Sequence, residues 1–239
     1  MEKLNLLFTK DGLQYQICKN KTVLEESSFL QNDEETPIDI LEKLNLVVSS
    51  KQFREIQVIS AINHFTLMPE SFTEHDLGYD LIGFNASLEK EKEELMLSVN
   101  KKYGVQFYYT LPKDFYQTIK DRKLPTNFNF SGEKFLKHLN PKNQKEIHIN
   151  LYHNQCEFFA LNSKKIILYN NLDVNSEVDF LYFIMFTLSK IEFGIDETQF
   201  FVYGETTENE TFISELRKFV KNLKIVFDNI PRKNFILNF

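Results

Sequence analysis

LNLLFTKDGLQYQICKNKTVLEESSFL, residues 4–30, is the stretch whose reading decides the fold. Leu4 to Phe8 is an apolar run. Lys10-Asp11-Gly12 carries the Asp-Gly dipeptide favoured in tight hairpins. Leu13, Tyr15 and Ile17 then alternate with Gln14, Gln16 and Cys18, the period of a half-buried strand. Asn20-Lys21 makes a second tight turn, and Thr22 to Leu30 a third strand. Beyond it, Thr36-Pro37 is expected to open a helix, because proline suits the first helical position. Ile38, Leu41, Leu44 and Val48 supply its apolar stripe, and Glu55 to Ile59 reads as a fourth strand.

The same order returns 143 residues down the chain, in IHINLYHNQCEFFALNSKKIILYNNLD, residues 147–173. Ile147, Ile149 and Leu151 mark a strand, His153-Asn154-Gln155 a polar turn, Cys156 to Leu161 a strand, Asn162-Ser163 a turn and Lys165 to Tyr169 a strand. Ser176 to Ile191 is a long apolar helix and Thr198 to Tyr203 a strand. Leu4 falls on Ile147, Asp11 on Asn154, Val23 on Ile166 and Val58 on Phe201 without a gap. Few residues match, but element types and turns do, which reads as an old duplication. The second copy continues with helix Glu208 to Lys221 and strand Leu223 to Phe227; crossovers of this kind are right-handed.

Between the copies, Ala61 to Met68 is expected to pair back on the fourth strand, and Pro69 ends it. Glu70 to Leu81 reads as helical, although Gly78 and Gly83 weaken that pattern, and the charged run Glu89 to Glu94 as a solvated turn or edge. Leu95 to Val99 and Val105 to Leu111 are strands joined across Tyr103-Gly104. Lys113 to Asp121 is a short helix, Phe128 and Phe130 flank an extended piece, and Glu133 to Leu139 is a helix that Pro141 ends. The expected division is therefore 1–142 and 143–239, the first part carrying an insertion.

Composition narrows the function. The chain has 239 residues, enough to bury a core without disulfide or metal staples. With 28 basic against 34 acidic residues its net charge is −6, which argues against a nucleic-acid surface. No run of roughly 18 apolar residues is present, the length a membrane-spanning helix needs. The densest stretch, Phe180 to Leu188, reads as a buried helix. Met1-Glu2-Lys3-Leu4 opens no secretory signal, so a cytoplasmic location is expected. Cys18 and Cys156 sit in strand-like runs and read as small apolar residues. The 24 phenylalanines are spread along the chain as core material, without a base-stacking cluster.

A duplicated unit of three antiparallel strands, helix, strand, helix and strand resembles the actin-like ATPase fold, in which two ribonuclease-H-like lobes face each other across a cleft. The segment Ile59 to Phe72, with Thr66-Leu67-Met68-Pro69 leading toward a helix, looks like an uncharacterised bacterial family, a domain-of-unknown-function group. It is also distantly similar to actin-like proteins of pilus and secretion machinery. The fold class implied is α/β, with two such lobes in a compact actin-like arrangement.

The resemblance implies where nucleotide chemistry would sit. Active members carry two hairpin turns, each with an acidic residue, glycine and a hydroxyl residue. Glycines let backbone N–H groups approach phosphates, and carboxylates hold Mg²⁺ through water. Here the first turn holds Asp11 and Gly12 but no Asp-x-Gly and no second glycine. The second, with His153 and Asn154, has neither glycine nor aspartate. On the adenosine side, where the family uses Gly-Gly, Gly204 fits and Glu205 departs. These six residues outline a vestigial interlobe cleft.

Other chemistries find less. The first strand of each copy lacks the aspartate that a two-metal nuclease needs. His64, His75, His138, His148 and His153 show no metal-ligand spacing and read as surface or edge residues. There is no nucleophile elbow and no phosphate-loop motif. Glu74, Asp76 and Asp80 beside His75 read as a polar helix face. The tail Asn229 to Phe239 is expected to dock back onto the chain, since exposed Phe and Ile are costly in water. The expectation is thus a non-catalytic actin-like module that binds a protein partner, with no cofactor, no metal, no nucleic acid and no membrane span. The alternative is a divergent ATPase using ATP and magnesium at Asp11, Gly12 and Gly204.

Overall fold

The computed structural model describes residues 2–20, 22–31, 39–142, 144–152, 154–226 and 237. The chain divides into two compact units, Met1–Lys134 and Phe135–Phe239. The division falls ahead of the expected 142–143 because Phe135 packs its ring on Phe159 at 5.7 Å and on Tyr203 at 5.2 Å, both in the second unit.

In the first unit, β1 (Glu2–Thr9), β2 (Gly12–Lys19) and β3 (Thr22–Leu30) form an antiparallel meander. Next come α1 (Ile40–Ser49) and β4 (Phe53–Ser60), which lies parallel to β1. The helix begins later than the proline suggests. Pro37 lies outside the described residues, and Asp39 is extended (φ −76°, ψ 104°) with its carboxylate accepting the N–H groups of Leu41 and Glu42. Such a cap contributes about 1 kcal/mol. Leu44 and Val48 of α1 are buried with Leu4, Leu6, Phe8, Ile56 and Val58 in one core.

An insertion follows β4. It comprises β5 (Phe65–Pro69), α2 (Gly78–Gly83), β6 (Glu93–Asn100) and β7 (Val105–Pro112), with sheet order β5-β7-β6. The expected pairing of β5 with β4 is corrected: β5 pairs with β7, Leu67 opposite Phe107. Nor is Glu70 to Leu81 one helix; it holds a single 3₁₀ turn, His75–Leu77, running into α2. The Glu89–Glu94 run is not solvated throughout: toward its end Glu93 begins β6, and its carboxylate takes His64 Nδ1 at 2.9 Å and the Thr110 hydroxyl. Then α3 (Lys113–Lys120) and β8 (Thr126–Phe130) complete a five-stranded sheet, order β3-β2-β1-β4-β8, and α4 (Ser131–His138) leads out.

The second unit repeats this topology. β9 (Lys145–Tyr152), β10 (Gln155–Asn162), β11 (Lys165–Asp173), α5 (Glu177–Lys190), β12 (Gln199–Gly204), α6 (Glu210–Phe219) and β13 (Leu223–Ile225) give the order β11-β10-β9-β12-β13. The correspondence reaches irregular detail. Ile17 pairs with Glu25 and Cys18 with Val23, which leaves Leu24 as a bulge. Ala160 pairs with Leu168 and Leu161 with Ile166, which leaves Ile167 as a bulge at the equivalent position. Both bulges lie on edge strands, where they discourage pairing with another chain.

The ungapped register fails at one strand. Val58 lies opposite Leu6, and Val202, not Phe201, lies opposite Ile149. The second unit has one extra residue before β12. A slip of one residue moves a side chain to the other face of a sheet. Val202 accordingly joins the core with Phe200, Ile147, Ile149 and Leu151. The helix read as buried needs correction too. Phe180, Ile184 and Leu188 of α5 are buried, but Tyr182 and Phe186 face solvent.

Candidate functional site

Each expected turn closes directly on its own strands. Thr9 pairs with Gly12, so Lys10 and Asp11 alone make the first loop. A Cβ on Gly12 would lie 2.1 Å from the Phe29 carbonyl oxygen. The glycine is required because β3 runs close alongside it, with Leu30 paired to Gly12. Downstream, the Gln31 N–H donates to the Asp11 carbonyl at 2.6 Å, and the Ala61 N–H to the Phe8 carbonyl at 2.7 Å.

In the second unit, Tyr152 pairs with Gln155. His153 lies outside the described residues, and Asn154 has φ 50°, a conformation asparagine tolerates. The Val174 N–H donates to the Asn154 carbonyl at 3.0 Å, and the Glu205 N–H to the Leu151 carbonyl at 2.9 Å. These are the counterparts of the Gln31 and Ala61 bonds. Gly204 has φ +84°, and a Cβ there would meet the Leu151 oxygen at 2.3 Å and Asn150 Oδ1 at 2.5 Å. Asn209 Nδ2 donates to the Glu205 carbonyl at 2.7 Å. Asn154, Gly204 and Glu205 are thereby gathered at the end of β9, with Glu205 buried. Asp11 and Gly12 occupy the corresponding place in the first unit.

Beneath the second turn lies a group that sequence reasoning missed. Along β9, Glu146, His148, Asn150 and Tyr152 alternate with Ile147, Ile149 and Leu151 and point to the face away from α5 and α6. That face is buried. Glu157, fully buried, accepts Asn150 Nδ2 at 2.8 Å, the Tyr152 hydroxyl at 2.5 Å and the Tyr169 hydroxyl at 2.8 Å. Gln155 Nε2 donates to Asn171 Oδ1 at 2.8 Å. The signal is the strict alternation, whose polar half ordinarily marks the solvent face of a half-buried strand.

A second polar group on this face centres on His148, which is buried and so corrects the surface reading. Its Nε2 lies 2.9 Å from Glu146 Oε2 and its Nδ1 3.0 Å from the Tyr203 hydroxyl, while its ring stacks on Phe201 at 4.7 Å. Burial acts to raise the Glu146 pKa. The His148 contact, with donors from the Lys142 backbone and Gln144, overcomes it and holds the carboxyl below the usual range. Burial, then the Glu146 charge, pushes the Tyr203 hydroxyl up. Burial, then Glu157, pushes the Cys156 thiol up, which suits an inert core residue. Among the described residues no group of three His, Cys, Asp or Glu side chains is placed to hold a metal ion. Elsewhere, His75 Nδ1 meets the Tyr108 hydroxyl at 2.5 Å, and Asp80 pairs with Lys90. Of the tail, only Leu237 is among the described residues, and it is buried.

The architecture is that of the actin-like ATPase fold. A Bacteroides thetaiotaomicron protein with actin-like ATPase fold and unknown function superposes with TM-score 0.83 at 18% identity, covering 99% of this chain and 93% of that one. The PilM–PilN type IV pilus biogenesis complex gives TM-score 0.57 at 11% identity, covering 95% and 88%. The cytoplasmic domain of EpsL, an inner-membrane component of the Vibrio cholerae type II secretion system, gives 0.51 at 9% identity, covering 98% and 88%. No helix among the described residues is long and apolar enough to cross a membrane. No curated protein matches the sequence. The family described as "Protein of unknown function (DUF3822)" matches residues 1–223, and the chain belongs to it.

Proposed function

We propose that this chain is a non-catalytic actin-like module, an adaptor that binds a protein partner and does not hydrolyse nucleotide. In this reading each five-stranded sheet belongs to a ribonuclease-H-like lobe, and the two lobes arose by duplication. The observation that carries it is that the glycine of the first expected phosphate turn and the glycine of the expected adenosine side are both committed to the fold. Gly12 is pressed against Phe29 and Gly204 against Leu151 and Asn150. Neither therefore offers its Cα face to a phosphate, the use a nucleotide site makes of glycine.

Magnesium–ATP fits these residues poorly. Asp11 is the one acidic residue of the first turn, and Asn154 stands at its counterpart. The nearest acid along β10, Glu157, is buried and already holds two tyrosine hydroxyls and an amide. A carboxylate so engaged is a structural acceptor and no free metal ligand. The adaptor role is supported by PilM, which occurs in a complex with PilN. A cytoplasmic location belongs to the same proposal.

Phosphate release from millimolar ATP and Mg²⁺ tests the loss of hydrolysis. The expected rate equals the protein-free blank. Release above the blank that disappears in Asp11→Ala would overturn the reading and make the chain a divergent ATPase.

A further inference from the structure

The outer surface of α5 carries a feature that the fold leaves unused. Val178, Tyr182 and Phe186 are 75%, 58% and 47% exposed. They are spaced i, i+4 and i+8, which places them in one stripe along the helix. The Tyr182 and Phe186 rings stack at 5.6 Å. Beside the stripe runs a groove of 310 Å³, lined also by Leu181, Met185 and Glu215. Contiguous exposed apolar surface of this kind marks an interaction site more often than isolated apolar residues do.

The charges at the two ends of the stripe differ in sign. Glu177 and Asp179 lie in the first turn and Lys190 in the last. Among the described residues none of the three forms an ion pair, and Lys190 only overlies the Phe186 ring at 5.2 Å. Glu215, at the groove, is matched by Lys218. An acidic end, an apolar centre and a basic end form a pattern complementary to its own reverse. A two-fold contact requires this, since the same patch must serve both sides.

We propose that α5 is a self-association surface that pairs antiparallel with α5 of a second copy of this chain. With Tyr182 on the two-fold axis, Val178 meets the partner's Phe186, and Tyr182 meets the partner's Tyr182. This register sets the partner's Lys190 opposite position 174, about 4.5 Å along the helix axis from Glu177 and about 7.5 Å from Asp179, within reach of the lysine side chain. A helix of this length presents about 21 Å to its partner, a contact at the small end of specific interfaces. The dimer is therefore weak and forms at micromolar concentrations.

The test is sedimentation of the full chain from about 1 to 300 µM, a range chosen for micromolar affinity. The expected mass rises from 28.4 kDa to twice that value with concentration. Tyr182→Glu stays monomeric and still unfolds cooperatively, since Tyr182 is 58% exposed and its ring contacts are to Phe183 and Phe186 on the same helix. Lys190→Glu weakens the dimer by about tenfold, and adding Glu177→Lys and Asp179→Lys to it restores association. A wild-type mass that stays at 28.4 kDa overturns the proposal and leaves the stripe for a different protein. A dimer indifferent to Tyr182→Glu overturns it as well, and a failed charge-swap rescue overturns the antiparallel arrangement.

Discussion

Gly204 lies so close to Asn150 that a methyl group on its Cα would come within 2.5 Å of the amide oxygen. Its φ of +84° is also one that side-chain-bearing residues rarely adopt. Gly204→Ala therefore combines backbone strain with a clash against β9. We expect a loss of about 2–4 kcal/mol, or roughly 5–15 °C in unfolding midpoint. Differential scanning calorimetry checks it. An unchanged midpoint would mean that β12 ends with freedom the geometry denies.

Gly12→Ala probes the first turn by the same logic. The added methyl meets the Phe29 carbonyl at 2.1 Å, and that contact belongs to neighbouring backbone with little room to move. The expected cost is about 2–4 kcal/mol by urea denaturation. The loss is the same with and without ATP, because the glycine serves β3. A penalty that ATP offsets would assign the residue to nucleotide.

Glu157 tests the buried polar face. Glu157→Gln removes the charge that three hydrogen bonds share and puts an amide NH₂ where the Tyr169 hydroxyl now donates, while its remaining oxygen can still accept from Asn150 Nδ2 and the Tyr152 hydroxyl. We expect about 2–4 kcal/mol lost, and about 1–2 kcal/mol for Tyr169→Phe, which removes one donor. Both are read as equilibrium unfolding free energies. A stabilised Glu157→Gln variant would show that the carboxylate is dispensable to folding.

The acid limb of stability carries the signature of Glu146. Its folded pKa is depressed, so its contribution is present above the ordinary carboxylate pKa of about 4.3 and is lost as pH falls through the lower folded value. In that window the unfolded chain binds more protons, and stability rises with pH. Glu146→Gln should lower stability at neutral pH and flatten the dependence below about pH 4.3. Denaturation midpoints from pH 2.5 to 7 measure it, and parallel curves for the two proteins would contradict the assignment.

Much of this was legible in the sequence, for local reasons. Asp11-Gly12, Asn20 and Asn154 mark hairpins through turn chemistry, and the alternation along residues 13–18 and 147–152 sets strand and face. What failed depended on distant contacts or on connection length. The ungapped offset aligns Phe201 with Val58, yet one extra residue before β12 turns Phe201 onto His148 and Val202 into the core. Gly12 reads as a turn residue in the sequence, but its constraint comes from Phe29, seventeen positions on. Glu157 was invisible because a polar residue in an alternating strand predicts solvent, and burial of that face is tertiary. In α5 the error ran the other way. A nearly unbroken apolar run predicts full burial, whereas Val178, Tyr182 and Phe186 stay exposed.

The most direct measurement is the unfolding midpoint of the wild-type chain, titrated with ATP and Mg²⁺ to millimolar concentration. A ligand at 100 times its dissociation constant stabilises by about 2.7 kcal/mol, roughly 5–10 °C for a chain of this size. If both glycines serve the fold alone, the midpoint does not move. A saturable rise of that order, lost in Asp11→Ala, would contradict the account and place a nucleotide at the first turn.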